Sequence, residues 1–216
     1  MKNNSTKKWL VWGGLLVGSA MVIYFFPLFH IVKIETAKQK KEEGKFNAQS
    51  FVEKFWNEQL STTLEKATNV ATLQNAIKAS PASAKEQFSR RLGMGTTYYY
   101  FVKGEGKIVA VKPDAIAVSL DKSGTKTDLI ISTANIYGNT VRDGLGVFNV
   151  SDFQSSQEFN QISSEINKRI ETAVLPNLKQ NAKVGAIVNF AGCAEILDEK
   201  TDLQPLKIIP VKAEIQ

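Results

Sequence analysis

The sequence predicts an α+β protein in which one membrane-spanning helix precedes a folded domain. Three observations indicate this class: an uncharged apolar run near the N-terminus, two regions whose apolar residues recur at helical spacing, and several short segments with strand-like alternation. Hydrophobic residues make up 43% of the 216 residues, so the chain beyond the apolar run can bury a core of its own.

The apolar run covers residues 9–29 and contains no charged side chain. At about 1.5 Å per residue, a helix of this length spans roughly 31 Å, which matches a bilayer core of about 30 Å. Trp9 and Trp12 near one end are typical of the membrane interface. We therefore expect the lipid bilayer to be a direct partner of this segment. The predicted N-terminal organisation is a short basic tail (residues 1–8), a transmembrane signal anchor (residues 9–29) and a charged stalk (residues 30–45).

Two properties of the anchor stay open from the residues alone. Gly18-Ser19-Ala20 is an acceptable cleavage site, although the apolar run continues through Phe26, which favours an uncleaved anchor. Three lysines precede the run and five follow it closely, so the positive-inside rule by itself places the domain in the cytoplasm. The short basic tail, by contrast, is typical of a signal sequence that exports the chain after it.

Residues 46–95 are predicted to form a helical subdomain. The pattern Ser50-x-x-Glu53 is typical of a capping box, and the apolar residues after it recur at the 3.6-residue spacing of a helix. A second short helix is expected over residues 70–77, where apolar residues again share one face. Ser80-Pro81 is a good N-cap and first-turn pair for a third helix, which Gly93 is expected to end.

Residues 96–216 are predicted to form a β-rich domain with one long helix. Gly104 and Gly106 are expected to interrupt the first strand, and a Gly- and Asn-rich loop runs from residue 137 to 146. Ser155-x-x-Glu158 begins the long helix, and Pro176 is expected to end it because its ring would clash with the preceding turn. The predicted strands cover residues 97–102, 107–111, 115–120, 128–132, 186–196 and 206–215.

The order of these elements is three strands, a helix and two strands, if the glycine-interrupted stretch counts as one strand. This order is typical of an OB-fold-like small β-barrel, in which one long helix lies between strands three and four. Another α+β meander with the same order of elements is the alternative. The predicted fold is therefore α+β, with the OB-like barrel preceded by the helical subdomain and the transmembrane helix.

Five stretches beyond the anchor resemble a bacterial family of predicted periplasmic lipoproteins, domain of unknown function 2291. They occur in the family's order and cover nearly the whole part of the chain beyond the stalk. The stretches are FNAQSFVEKFW, FVKGEGKIVAV, YGNTVRDGLGVFNVSDF, EFNQISSEINKRI and the closing GAIVNFAGCAEI with LKIIPVKAEI.

The resemblance implies export of the domain to the periplasmic side of the cytoplasmic (inner) membrane. It also implies a role in a membrane transport complex, because genes of this family often lie beside sugar-type ABC uptake systems. Members usually carry a lipobox cysteine immediately before a segment such as IVKIE, where this chain has Phe29-His30. No diacylglycerol can be attached at those residues. We therefore expect the uncleaved helix to replace the lipid as a single-pass anchor.

The counts of reactive residues and charges exclude several function classes. Cys193 and His30 are the only residues of their types, so the domain has no disulfide framework, no catalytic histidine and no cysteine–histidine metal site. We predict no metal and no other cofactor. The net charge is +6, but half of that excess comes from three lysines ahead of the anchor, and the remaining lysines are interspersed with acids. A nucleic-acid partner is therefore disfavoured.

The most suggestive polar cluster is formed by Gly138, Asn139, Arg142 and Asp143. Glycine lets backbone amides approach a ligand, while arginine and aspartate supply a bidentate donor and an acceptor, so this cluster is a candidate binding site for a small sugar or anion. The favoured interpretation, however, is that Arg142 and Asp143 fasten a long loop to the domain. The aromatic run Tyr98-Tyr99-Tyr100-Phe101 is likewise interpreted as core packing on one side and an ordinary strand face on the other, in preference to a stacking platform.

Three functions follow as hypotheses. The first is a non-catalytic binding or accessory protein outside the cytoplasm, associated with a sugar-type ABC uptake system as the resemblance implies. The second is a nucleic-acid-binding OB-fold protein, which requires a cytoplasmic domain. The third is an extracytoplasmic hydrolase that uses the loop of Arg142 and Asp143. No pair of carboxylates has the spacing of a general acid and base, so we predict that the protein is not an enzyme.

Overall fold

The structure is a computed structural model, and it describes residues 46–93, 95–121 and 123–216. Residues Asn47–Gln216 form one compact unit that contains both helices and strands, which confirms the α+β class. The predicted tail, anchor and stalk lie outside the described residues. Among the described residues, none of the helices combines the length and the hydropathy that a membrane span requires.

The region predicted as a helical subdomain contains α1 (Ala48–Glu58), α2 (Leu60–Glu65), β1 (Thr68–Asn69), α3 (Val70–Ala79), α4 (Pro81–Phe88) and β2 (Ser89–Arg90). The predicted capping box is wrong, because the side chain of Asn47 caps α1 by accepting a hydrogen bond from the Ser50 backbone N–H at 2.9 Å. Ser80 caps α4 as predicted. That helix ends before Gly93, because the residues of β2 pair with a neighbouring strand instead.

Five longer strands form the main sheet: β3 (Tyr98–Lys112), β4 (Ala115–Ser119), β5 (Leu129–Ser132), β6 (Ile187–Ile196) and β7 (Leu206–Ile215). Their pairing runs β3-β4-β5-β7-β6, and β6 pairs with β3 again, so the path of hydrogen bonds returns to its starting strand. The β5–β7 pair is parallel and the other four are antiparallel. The two short strands β1 and β2 pair with β3.

Strand β3 is continuous, so the predicted interruption at Gly104 and Gly106 is wrong. Both glycines instead permit close packing. A Cβ atom at Gly104 would lie 2.7 Å from a methyl carbon of Val70, and one at Gly106 would lie 2.4 Å from a methyl carbon of Val118. The glycines therefore let α3 and β4 approach the strand, and the register between β3 and β4 shifts between Ile108 and Ala110.

The chain between β5 and β6 contains α5 (Thr140–Leu145), a 3₁₀ turn (Val150–Asp152), α6 (Ser156–Arg169), a π-helical turn (Ile170–Val174) and α7 (Leu175–Asn181). The predicted loop over residues 137–146 therefore includes a short helix. Ser155 caps α6 as predicted, by accepting a hydrogen bond from the Glu158 N–H at 3.2 Å. Pro176 does not end the helical stretch, because it lies in the first turn of α7 directly after the π-helical turn.

The strands surround a core of buried aliphatic side chains, and both sides of the aromatic run are covered. The core includes Ile108, Val118, Leu129, Val188 and Ile208, each with 0% exposure. All four residues from Tyr98 to Phe101 are buried, which confirms core packing, whereas the expected ordinary strand face is wrong because both sides of the strand are covered there. Cys193 is buried as predicted.

A candidate binding cavity beside helix α6

Helix α6 and the π-helical turn after it carry two stripes of side chains. One stripe is apolar, and its residues Ile162, Ile166 and Ile170 are buried. The other stripe is polar and follows the same helical spacing, which places its members together on a different side of the helix. The polar stripe consists of Asn160, Ser163, Ser164, Asn167, Lys168 and Glu171.

A cavity of about 460 Å³ lies between this polar stripe and the connection from β5 to α5. The connection contributes four residues to the lining: Ile136, Tyr137, Gly138 and Asn139. We call this space the polar cavity, defined by these four residues and the six of the stripe. Small-ligand sites in proteins are usually concave and largely apolar with a few convergent polar groups; the polar cavity shares the concave form and the convergent polar groups, and its lining is more polar.

Burial changes sharply across the polar cavity. Ser163 and Asn167 are buried, with 3% and 7% exposure, whereas Tyr137 is 79% exposed. The Ser163 hydroxyl has no hydrogen-bond partner among the residues that the structure describes. A buried polar group without a partner typically costs about 1–3 kcal/mol, so any group that reaches this hydroxyl gains a favourable contact.

Two hydrogen bonds hold the connection against the helical stretch. The Asn167 side-chain amide donates to the Gly138 carbonyl oxygen at 3.0 Å, and the Ile136 backbone N–H donates to Glu171 Oε1 at 2.6 Å. Gly138 has a φ of 77°, a left-handed conformation that favours glycine. The shape of the cavity wall therefore depends on groups from both sides.

Arg142 and Asp143 lie in α5 and are buried, with side-chain exposures of 3% and 5%. Arg142 Nε donates to Asp143 Oδ1 at 2.7 Å, and its Nη1 donates to the Phe159 carbonyl oxygen and to Asn160 Oδ1, both at 3.1 Å. The guanidinium carbon also lies 3.7 Å from the centre of the Phe159 ring. Arg142 is thus engaged by the protein itself and connects α5 to α6.

Helix α5 is also fixed to the sheet. Thr140 Oγ1 donates to Glu195 Oε2 at 2.9 Å, and the Tyr99 hydroxyl donates to Glu195 Oε1 at 3.4 Å. Burial, together with the negative charges of Glu195 and Asp143, raises the pKa of Tyr99 from 10.0 to about 12. The phenol therefore stays protonated over the physiological range and serves as a donor.

The structure divides the four predicted site residues into two pairs. Gly138 and Asn139 line the polar cavity, whereas Arg142 and Asp143 do not line it. The residues that sequence reasoning missed are those of the polar stripe on α6. Their signal was the spacing of amide and hydroxyl residues along the helix, which is as regular as that of the isoleucines.

The lining groups are suited to binding. They are amides, hydroxyls, one ammonium group on Lys168 and one carboxylate on Glu171. Within the described ranges, no group of three histidine, cysteine or acidic side chains is arranged to hold a metal ion.

The thiol of Cys193 lies outside the polar cavity. Burial raises the pKa of this thiol, which therefore stays protonated at neutral pH.

Comparisons with known proteins agree with this architecture. The model of a family described as predicted periplasmic lipoprotein, domain of unknown function 2291, matches residues 19–214. No curated protein matches the chain. The chain is similar to a crystal structure described as that of an OB-fold protein from Thermotoga maritima, with 25% sequence identity and a TM-score of 0.70. The similarity covers 80% of this chain and 99% of that one. The expected family and the expected OB-fold likeness are thereby confirmed.

Proposed function

Because the chain belongs to the family of predicted periplasmic lipoproteins, domain of unknown function 2291, we propose that it is a non-catalytic accessory protein that binds a small ligand outside the cytoplasm. The observation that supports binding is the polar cavity, whose lining brings together amide and hydroxyl groups from α6 and from the connection to α5, among them the Ser163 hydroxyl that has no partner among the described residues. The ligand is a small sugar or anion, and the lining supplies no paired acid and base for hydrolysis.

The scaffold of the site is an OB-like barrel. Cyclic pairing of five strands supports a closed small barrel, and the chain between β5 and β6 supplies the long helix beside it. Loops and helices that emerge from such a rigid sheet are common positions for binding residues. The nucleic-acid alternative gains no support, because the aromatic run of β3 is buried and cannot stack on bases.

The proposed location is the cytoplasmic (inner) membrane, with the C-terminal domain on the periplasmic side. The uncharged run of residues 9–29 would insert as a single-pass anchor in a chain that has Phe29-His30 where the family resemblance implies a lipobox cysteine. The proposed partner is a membrane transport complex of the sugar-type ABC class, which the domain would serve from the outer side of the bilayer.

Reporter fusions after Gln216 test the orientation. We expect an active alkaline phosphatase fusion and a dark green-fluorescent-protein fusion, because the first requires export and the second requires the cytoplasm. The opposite pattern would refute an extracytoplasmic accessory protein.

Retention of the full chain in membranes after alkaline washing, with an N-terminal sequence that starts at Met1 or Lys2, tests the anchor. A sequence that starts at Met21 would show cleavage after Ala20 instead.

A broad ligand screen tests the binding function. The full chain, purified in detergent, is melted in the presence of sugars, polyols, inorganic anions, amino acids and nucleosides. A ligand that binds only the folded state raises the melting temperature according to RT ln(1 + [L]/Kd), so a binding protein must respond to at least one class. A screen without any response would refute the binding function.

A further inference from the structure

The charges of the polar cavity nearly cancel, which bears on the ligand class of the proposed function. Its lining carries one cation, Lys168, and one anion, Glu171, three residues apart on the same helical stretch. A bound anion near Lys168 would therefore also face a carboxylate. Arg142, which is well suited to an anion, is buried and donates to Asp143, Phe159 and Asn160.

Existing hydrogen bonds determine which polar atoms remain for a ligand. Arg142 can only donate, so it fixes Asn160 Oδ1 as the acceptor and leaves the two N–H groups of that amide. Asn167 donates to Gly138 and keeps its Oδ1 acceptor. The Ser163 hydroxyl can both donate and accept. A mixed set of donors and acceptors matches neighbouring hydroxyl groups on one molecule, whereas a sulfate ion only accepts and a phosphate ion presents mainly acceptors.

Tyr137 adds an apolar surface at the rim of the cavity. The residue is 79% exposed, although aromatic rings normally contribute large buried areas. The C–H face of a saccharide or cyclic polyol can cover such a ring while its hydroxyls reach the amides. From the charge balance, the remaining donors and acceptors and this ring, we infer that the polar cavity binds an uncharged polyhydroxyl compound, a monosaccharide or cyclic polyol, and not an inorganic anion. This inference rests on the proposed binding function.

Isothermal titration calorimetry of the full chain tests the ligand class. The probes are D-glucose, D-ribose and myo-inositol on one side and inorganic phosphate and sulfate on the other. The detergent must lack a sugar headgroup, since a glycosidic detergent would compete for the site. We expect at least one of the three neutral probes to bind with a Kd below about 1 mM, and neither anion to bind in that range.

Two variants test whether binding occurs in this cavity. Tyr137→Ala should weaken binding of the neutral probe about tenfold, while Tyr137→Phe keeps the ring and retains most of the affinity. Ser163→Ala should also weaken binding about tenfold. Neither change is expected to unfold the protein, because Tyr137 is exposed and the Ser163 hydroxyl has no partner among the described residues. Ser156→Ala, on the same helix outside the cavity, is the control and should bind like the wild type.

Each other result overturns the inference. Binding of phosphate or sulfate that Lys168→Met abolishes would replace the ligand class and leave the proposed binding function intact. Binding of a neutral probe that neither Tyr137→Ala nor Ser163→Ala weakens would place the site elsewhere. A lack of response to all five probes would also refute the neutral ligand class. The broader proposed function would fail only if the melting screen with all compound classes were silent as well.

Discussion

Two adjacent parts of the connection between β5 and β6 differ in their burial, in their charge and in their contacts with the rest of the protein. Residues 136–139 line an open cavity, and Tyr137 at its rim is almost fully exposed. Helix α5 follows immediately, and its charged pair Arg142 and Asp143 is buried against α6. Gly138 and Asn139 in the first part can contact a ligand that binds and dissociates. Arg142 and Asp143 in the second part have fixed partners within the protein.

The comparison shows that a charged pair in the sequence is weak evidence for a binding site. Stronger evidence is a set of polar groups around a cavity whose hydrogen bonds are not already used within the protein. Arg142 has hydrogen bonds to three residues and packs on an aromatic ring. A buried ion pair with satisfied partners supports the fold geometry, and it costs a great deal to break. Neutral amides and hydroxyls around a cavity retain unused hydrogen-bonding capacity, which a ligand needs.

The largest expected effect comes from breaking the buried pair. Arg142→Ala leaves the Asp143 carboxylate buried without its cation, and such a loss costs about 3–5 kcal/mol. For a domain of this size we expect the melting temperature of the full chain to fall by roughly 6–20 °C. Differential scanning calorimetry measures the change.

A double variant separates the charge from the packing. Arg142→Met with Asp143→Asn removes both charges and keeps much of the side-chain volume, so it should recover part of the lost stability. If Arg142→Ala melted like the wild type, Arg142 would not fasten α5 to α6, and the contrast between the two parts would be wrong.

A smaller effect is expected at Gly144, where α5 meets β6. A Cβ atom there would lie 2.7 Å from Cys193 Cβ and 2.8 Å from its sulfur, so Gly144→Ala should destabilise the protein by about 1–3 kcal/mol. Gly95→Ala is the matched control, because a Cβ atom at that position meets only the Thr97 backbone nitrogen at 4.0 Å. Urea titration compares the two free energies of unfolding, and equal values would show that α5 moves away without cost.

Sequence patterns predicted the strands because strand formation depends on local alternation and turn residues. The last strand, predicted over residues 206–215, is observed as Leu206–Ile215, and the N-caps Ser80 and Ser155 were identified correctly. Glycine was misread at Gly104, where it signals close packing against Val70 and not a break. That distinction depends on a neighbour more than thirty residues away in the sequence, which local patterns do not contain.

The candidate site was predictable only in part, for a related reason. Gly138 and Asn139 were identified from a glycine- and asparagine-rich segment, and they do line the cavity. The polar stripe on α6 escaped notice because polar residues on a helix usually face solvent. Only tertiary structure shows that this stripe faces a second segment and that Ser163 is buried there.

A moderate effect is expected at alkaline pH from Tyr99, which lies beneath α5. Its folded-state pKa is raised above the value of 10.0 to about 12, so the neutral phenol contributes stability that is fully present below pH 10. That contribution is lost as the pH rises from 10 towards 12. The Tyr99→Phe variant has no phenol to ionise at this position, so its free energy of unfolding should fall less steeply over this interval. The slopes of the two proteins should differ by up to about 1.4 kcal/mol per pH unit. Parallel pH profiles for the two proteins would show that burial beneath α5 does not suppress ionisation.

The smallest expected effect on stability belongs to Tyr137, although its expected effect on binding is large. The residue is 79% exposed, so Tyr137→Ala removes little buried surface and should change the free energy of unfolding by less than about 0.5 kcal/mol. Urea titration without ligand measures this value, with Arg142→Ala beside it as the destabilised reference. A loss of more than about 1 kcal/mol would mean that Tyr137 packs on the domain as α5 does, and residues 136–139 would then resemble the buried part of the connection. An unchanged free energy of unfolding would show that folding does not require the Tyr137 ring. The ring at the rim of the polar cavity is then available to a ligand.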